Sequence, residues 1–179
     1  MFQTMARLIR HRWLDDKDAA RAIPPALAAR LRARVAASEQ RHGGEVRICV
    51  EGGLPPSYLW RHLREHTPMA EIVRQRALMM FAKLRVWDTE HNNGVLIYLL
   101  LAERAIELVA DRGVARRTDP AIWHEAVRRL GAALHEGRVE DGLTQALEEV
   151  SAILVAHFPA ADGGAVPAPN ELPDEPVLR

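Results

Sequence analysis

Four oxygen-bearing side chains, Asp88, Glu90, Asn92 and Asn93, fall within six residues, directly before the most apolar run of the chain. Carboxylate and amide oxygens at that density are what hard divalent cations such as calcium or magnesium take as ligands. Asp88, Glu90 and Asn92 stand at the first, third and fifth positions, as donors do in an EF-hand loop. The likeness ends there: the sixth position is Asn93 rather than glycine, and the twelfth is Leu99 rather than a bidentate glutamate. The same residues also suit a loop whose Asx side chains bond their own backbone and whose Asn-Gly pair sets the turn. Residue types and spacing leave both readings open.

Another acid, Asp111, opens the segment Asp111-Arg112-Gly113. Residues 94–101 and 104–110 read as strands, and the link between them is short enough to require an antiparallel hairpin. The start of one strand then lies beside the end of the other, so Asp111 is expected near residues 88–93. Carboxylates brought together repel unless a cation or an arginine lies between them. Arg112 is the arginine at hand for a purely structural ion pair.

Weaker signals lie elsewhere. His62-Leu63-Arg64-Glu65-His66 spells H-x-x-E-H, the inverted zinc-peptidase pattern, which on a helix puts both histidines on one face. The helix is short, it ends at Thr67-Pro68, and a solvated amphipathic turn is the simpler reading. Cys49 lies within a strand, where burial keeps a thiol inert. As the lone cysteine it also excludes an internal disulfide and any cysteine-cluster metal site. No G-x-S-x-G, Walker loop or G-x-G-x-x-G occurs.

The elements that must position these residues follow from hydrophobic period. Residues 45–51 alternate, Val46, Ile48 and Val50 against Arg47, Cys49 and Glu51, which predicts a strand with one face less buried. Residues 94–101 are continuously apolar, as in a central strand covered on both sides. About 40 residues containing a helix separate these two strands, which suits a parallel crossover. Helices are expected from Pro24 or Pro25 to His42-Gly43-Gly44, over 57–66, and from Thr67-Pro68 with Thr67 as N-cap. The last of these carries the stripe Val73, Ala77, Met80, Phe81 and Leu84, with Arg74, Arg76 and Lys83 off it. Further helices start at Asp119-Pro120 and run over 139–158, while 111–118 reads as a loop.

The chain thus divides into a polar segment at 1–22 with room for a short helix around 16–21, a domain at 23–158, and a tail at 159–179. Five prolines and Gly163-Gly164 in that tail predict disorder. The expected fold is α/β, a three-layer sandwich in which a small mixed β-sheet is flanked by helices. A net charge of zero over 179 residues argues against nucleic-acid binding, which needs a basic surface. No run approaches the length of a membrane span and no secretory h-region follows the N-terminal arginines, so a cytoplasmic location is the expectation.

The run from Val86 to Tyr98, with Asn92-Asn93-Gly94-Val95-Leu96-Ile97 at its centre, resembles the signature of the TPM domain family. That family is named after a thylakoid lumen protein, a photosystem repair protein and a worm receptor modulator. Arg76-Ala77, the stretch from Ile106 to Gly113, and the stretch from Gly137 to Gly142-Leu143 extend the resemblance over about residues 16–158. It implies a sheet sandwiched by helices and divalent-cation binding, chiefly calcium, in an acidic cleft at one sheet end. Carried over residue by residue, it points to Asp88, Asn92, Asn93 and Asp111, with Glu90 as a further candidate. It also implies weak phosphatase activity in some members, without residues that transfer. Ala110-Asp111-Arg112-Gly113 stands where exported members often have Gly-Tyr-Gly-Leu, so the chain resembles a soluble branch. The resulting expectation is a non-enzymatic calcium- or magnesium-binding module that engages a protein partner. The alternative is a metal-assisted phosphatase acting on phosphate esters.

Overall fold

The computed structural model describes residues 2–14, 16–160 and 170–179. Its strands β1 (Glu45–Glu51), β2 (Gly94–Leu100), β3 (Ala105–Ala110) and β4 (Val177–Leu178) form one mixed sheet in the order β3-β2-β1-β4. β1 and β2 run parallel, in register from Glu45 beside Gly94 to Glu51 beside Leu100. β2 and β3 form the expected antiparallel hairpin, pairing Val95 with Ala110. Their link is a single 3-10 turn, Leu101–Glu103, closed by Arg104 at φ 49°.

Eight α-helices are described: α1 (Phe2–Trp13), α2 (Asp16–Ala22), α3 (Pro25–Glu39), α4 (Pro56–Glu65), α5 (Met69–Lys83), α6 (Arg112–Ala115), α7 (Pro120–His135) and α8 (Val139–His157). The period-2 pattern of the strands sorts them into layers. Val46, Ile48, Val50, Val95, Ile97 and Leu99 face one way, against apolar stripes of α3, α7 and α8 such as Leu31, Leu130 and Leu143. Leu96, Tyr98, Leu100 and Val109 face the other way, against Leu59 of α4 and Ile72, Ala77 and Met80 of α5. This is the three-layer α/β sandwich read from the sequence.

Several expectations need correction. β1 is buried on both faces, because helices cover each of them, Val46, Ile48 and Val50 packing in one layer and Cys49 in the other, and because Glu51 is paired rather than solvated. Residues 170–179 are not disordered: β4 adds to β1 in parallel, pairing Cys49 with Val177, and Leu172 is buried. The rest of that disorder expectation, at 161–169, lies outside the described residues. The N-terminal segment carries two helices, α1 as well as α2, with Met1 and Asp15 outside the described residues. Thr67 does not cap α5. Pro68 stays extended at φ −55°, ψ 141° and takes the N-cap position, and a residue before proline is itself pushed from helical geometry. Residues 112–115, read as loop, form α6. Among the described residues no helix is long and apolar enough to cross a membrane.

Candidate functional site

Three chain segments meet where β1 and β2 start and β3 ends. The parallel register places Glu45 beside Gly94, and the hairpin places Asp111 just past the Val95–Ala110 rung. Asp111 N donates to the Gly94 carbonyl at 2.8 Å, and Gly113 N donates to the Asn92 carbonyl at 3.0 Å. Gly113 permits this approach, since a Cβ there would lie 2.4 Å from the Asn92 oxygen. The loop at 88–93 and the segment at 111–113 therefore share one edge of the sheet, as the hairpin argument required.

Individual side chains separate into three groups. Asn93 and Asp111 point inward: Asn93 is fully buried and Asp111 is 8% exposed. Asn93 donates through Nδ2 to the Gly43 carbonyl. Asp111 Oδ1 accepts from Arg112 N at 2.6 Å and caps α6. The remaining oxygens, Asn93 Oδ1 and Asp111 Oδ2, are both buried without a hydrogen-bond partner among the described residues. Asn92 holds the left-handed region at φ 53°, and its Oδ1 accepts from Arg112 Nε at 2.7 Å. Arg112 thus ties the two segments together, but through an amide rather than through a pair of carboxylates. Asp88 and Glu90 face solvent. Asp88 pairs with Arg85 at 2.6 Å, and Glu90 is held by its backbone N–H, which donates to Glu171 at 2.9 Å.

The self-bonded loop reading therefore describes part of this segment. Thr89 accepts from Asn92 N at 3.2 Å through its carbonyl and from Asn93 N at 3.1 Å through Oγ1. The described residues contain no group of three or more His, Cys, Asp or Glu side chains that could hold a metal. Asp88, Glu90 and Asp111 do not converge as a three-acid site, and the donors placed inward are Asn93 and Asp111.

Other acids at this edge escaped sequence reasoning. Glu45 accepts from Glu171 N at 3.2 Å and Leu172 N at 3.1 Å, and Glu39 accepts from Val46 N at 2.8 Å. Burial, with the Glu45 and Asp174 carboxylates nearby, raises the Glu39 carboxyl to about 8 against the Val46 N–H that lowers it. Glu45 is raised in the same direction, chiefly by burial. The parallel pairing of β1 with β2 was the signal for Glu45, since it sets the first residue of β1 beside Gly94. Nothing in the local sequence placed Glu39, Glu171 or Asp174 there.

The weaker candidates resolve structurally. His62 Nδ1 donates to the Thr67 carbonyl at 2.7 Å, and His66 is the left-handed C-cap of α4 at φ 53°. Cys49 is fully buried, and burial followed by the Glu51 charge pushes its thiol up to about 12. It is no nucleophile at neutral pH.

The chain matches the TPM domain family model over residues 17–153. No curated protein matches it significantly. Among solved structures it is similar to the BA42 protein of the psychrophilic bacterium Bizionia argentinensis, with a TM-score of 0.64 at 19% identity over 88% of this chain and 92% of that one. It is also similar to the N-terminal domain of a P. gingivalis protein, with a TM-score of 0.51 at 17% identity over 70% and 72% of the two chains.

Proposed function

This chain belongs to the TPM domain family, and on that premise we propose that it binds one divalent cation, calcium or magnesium, at the sheet edge that carries Asn93 and Asp111. The observation that carries the reading is the pair of buried, unpartnered oxygens, Asn93 Oδ1 and Asp111 Oδ2. A buried acceptor without a donor is costly, and a carboxylate oxygen more so. A hard cation bound at this edge would give either oxygen the partner it lacks and would complete its shell with backbone carbonyls and water. Two side-chain donors make a lean site, which suits a module whose loops are ordered by the ion for a protein partner. The site holds no activated nucleophile: the inward groups are an amide and a helix-capping carboxylate, and Cys49 lies within β1.

Calorimetry with calcium and magnesium tests this. Asp111→Asn keeps an acceptor for the Arg112 N–H while removing the charge, so it separates ion binding from capping. Heat of binding is expected for the wild type, lost in Asp111→Asn and retained in Asp88→Ala. Absence of heat from the wild type would end the cation reading. A second reading, metal-assisted phosphate-ester hydrolysis, draws on the Arg112 guanidinium, which donates to Asn92 Oδ1 at this edge and is of the kind that clamps a phosphoryl group. The same variant addresses it: aryl-phosphate turnover that survives Asp111→Asn at full rate removes that reading.

A further inference from the structure

At the far end of β1 from the Asn93–Asp111 edge, about 20 Å along the strand, lies a cavity of about 610 Å³. That volume falls in the range of small-molecule sites, roughly 300–1,000 Å³. The cavity stands at the carboxyl ends of the parallel strands β1 and β4, where Glu51 ends one and Arg179 follows the other. Open α/β sheets receive ligands at that end of their strands. The walls come partly from outside the family domain, since His11 and Leu14 precede residues 17–153 and Arg179 follows them. Both flanking segments are fastened to the turn after β1: Gly52 N donates to the Arg179 carbonyl at 2.7 Å, and Leu54 N donates to His11 Nδ1 at 3.0 Å. The cavity is therefore built by long-range bonds of the fold.

The polar groups that the fold fixes in these walls are occupied by the protein itself. Glu51 accepts from Arg76 Nε at 2.8 Å and from Tyr98 Oη at 2.6 Å, and both members of the ion pair are buried. Both ring nitrogens of His11 are taken, one by Leu54 N and the other by Glu103 Oε1 at 2.9 Å. No hydrogen bond or ion pair with a described residue fixes the guanidinium of Arg12 or Arg179, and Arg12 is exposed, so neither is a preset anion site. A charged ligand would give up its hydration there without meeting a counter-charge that the fold holds in place. The rest of the lining is hydrocarbon. Leu54 and Leu59 are buried, whereas Trp60 and Leu63 of α4 are 61% and 36% exposed. Those two stand three residues apart and share a helix face. Pro55, Pro56 and Trp60 are rigid rings, which lose little conformational freedom on contact and suit an equally rigid, flat partner. The exposed indole also offers the largest apolar area for a ring to cover.

We propose that this cavity binds a small uncharged aromatic molecule, held by apolar contact with Leu54, Leu59 and Trp60 rather than by charge. The proposal is independent of the cation reading, because it uses no residue of the Asn93–Asp111 edge. It is tested by NMR titration of the isotope-labelled full chain in divalent-free buffer at pH 7, with 2-naphthol, 2-naphthoate and 2-naphthylmethylammonium as neutral, anionic and cationic probes of one shape. Saturable shifts are expected with 2-naphthol at the Trp60 indole N–H and the Leu54 and Leu63 amides, with the two charged probes weaker by at least roughly fivefold. Trp60→Ala should weaken 2-naphthol by roughly tenfold with little change in melting temperature, since the indole is exposed. Arg12→Gln and Asp111→Asn should both leave the affinity as it is. No saturable shift at those three positions, naphthoate binding as tightly as naphthol, wild-type affinity in Trp60→Ala, or lost affinity in Arg12→Gln would each overturn the proposal.

Discussion

Arg76 has the sequence context of a solvated helix residue, between Gln75 and Ala77 and off the apolar stripe of α5. It is instead 5% exposed, and its Nε donates to Glu51 Oε2 at 2.8 Å while Nη2 reaches Oε1. Tyr98 donates to the same carboxylate, and burial together with that neighbouring charge pushes the phenol well above its ordinary range. A bidentate pair in a buried setting is poor evidence of net stabilisation, because desolvation offsets the attraction. Removing one partner is different, since it strands a charge. Glu51→Gln or Arg76→Met is expected to lower the unfolding free energy by about 3 kcal/mol. Glu51→Leu combined with Arg76→Met should recover most of that loss. Urea denaturation of the three variants checks it; single variants as stable as the wild type would show that water reaches the pair.

The same limit explains which elements were legible from the chain. β2 declared itself through an unbroken apolar run, the hairpin through a link too short for any other geometry, and α7 through Asp119-Pro120, where Asp119 accepts from Ala121 N at 2.9 Å. α1 did not, because it is fixed by single contacts at long range. Arg10 donates to the Ala102 carbonyl at 3.0 Å, and His11 bonds Glu103 at 2.9 Å. Nor did the acids that α3, β1 and residues 170–174 bring together, since pairing across more than a hundred residues leaves no local period. At the candidate site, adjacency of the two segments was readable, but the direction of each side chain was not. Asp88 and Glu90 match the spacing of cation ligands and yet face water. The acid cluster has a consequence for pH. Free glutamate titrates near 4.5, whereas burial holds Glu39 up to about 8. The unfolded chain therefore releases that proton first, and stability falls as pH rises from 4.5 through 8. His42 acts in the other direction. Burial lowers it to about 4 from 6.5, so its contribution is lost as pH falls through that window. Above pH 6.5 the Glu39 slope stands without that opposition. Melting temperature is expected to decline between pH 6.5 and 8.5 in the wild type and to flatten in Glu39→Gln. An unchanged slope in the variant would remove Glu39 as the cause.

At the scale of the whole molecule, residues 170–179 act on both ends of the sheet. Near the Asn93–Asp111 edge, Glu171 and Leu172 supply two backbone N–H groups to the Glu45 carboxylate, and Glu171 accepts from Glu90 N. At the other end, Arg179 N donates to the Val50 carbonyl at 2.9 Å, and β4 covers the outer margin of β1. Only two residues of β4 pair, yet they stand between β1 and solvent, and β1 is apolar on one face through Val46, Ile48 and Val50. Uncovered, that margin is a row of unpaired N–H and C=O groups open to another chain. Deleting residues 170–179 removes the burial of Leu172 and the donors to Glu45 together. The expected loss is at least about 2 kcal/mol of unfolding free energy, with a larger apparent mass than the full chain at equal concentration. Thermal melts and light scattering after gel filtration read the two effects separately. A deletion variant that melts with the full chain and keeps its mass would mean that β4 rests on the sheet without contributing to it.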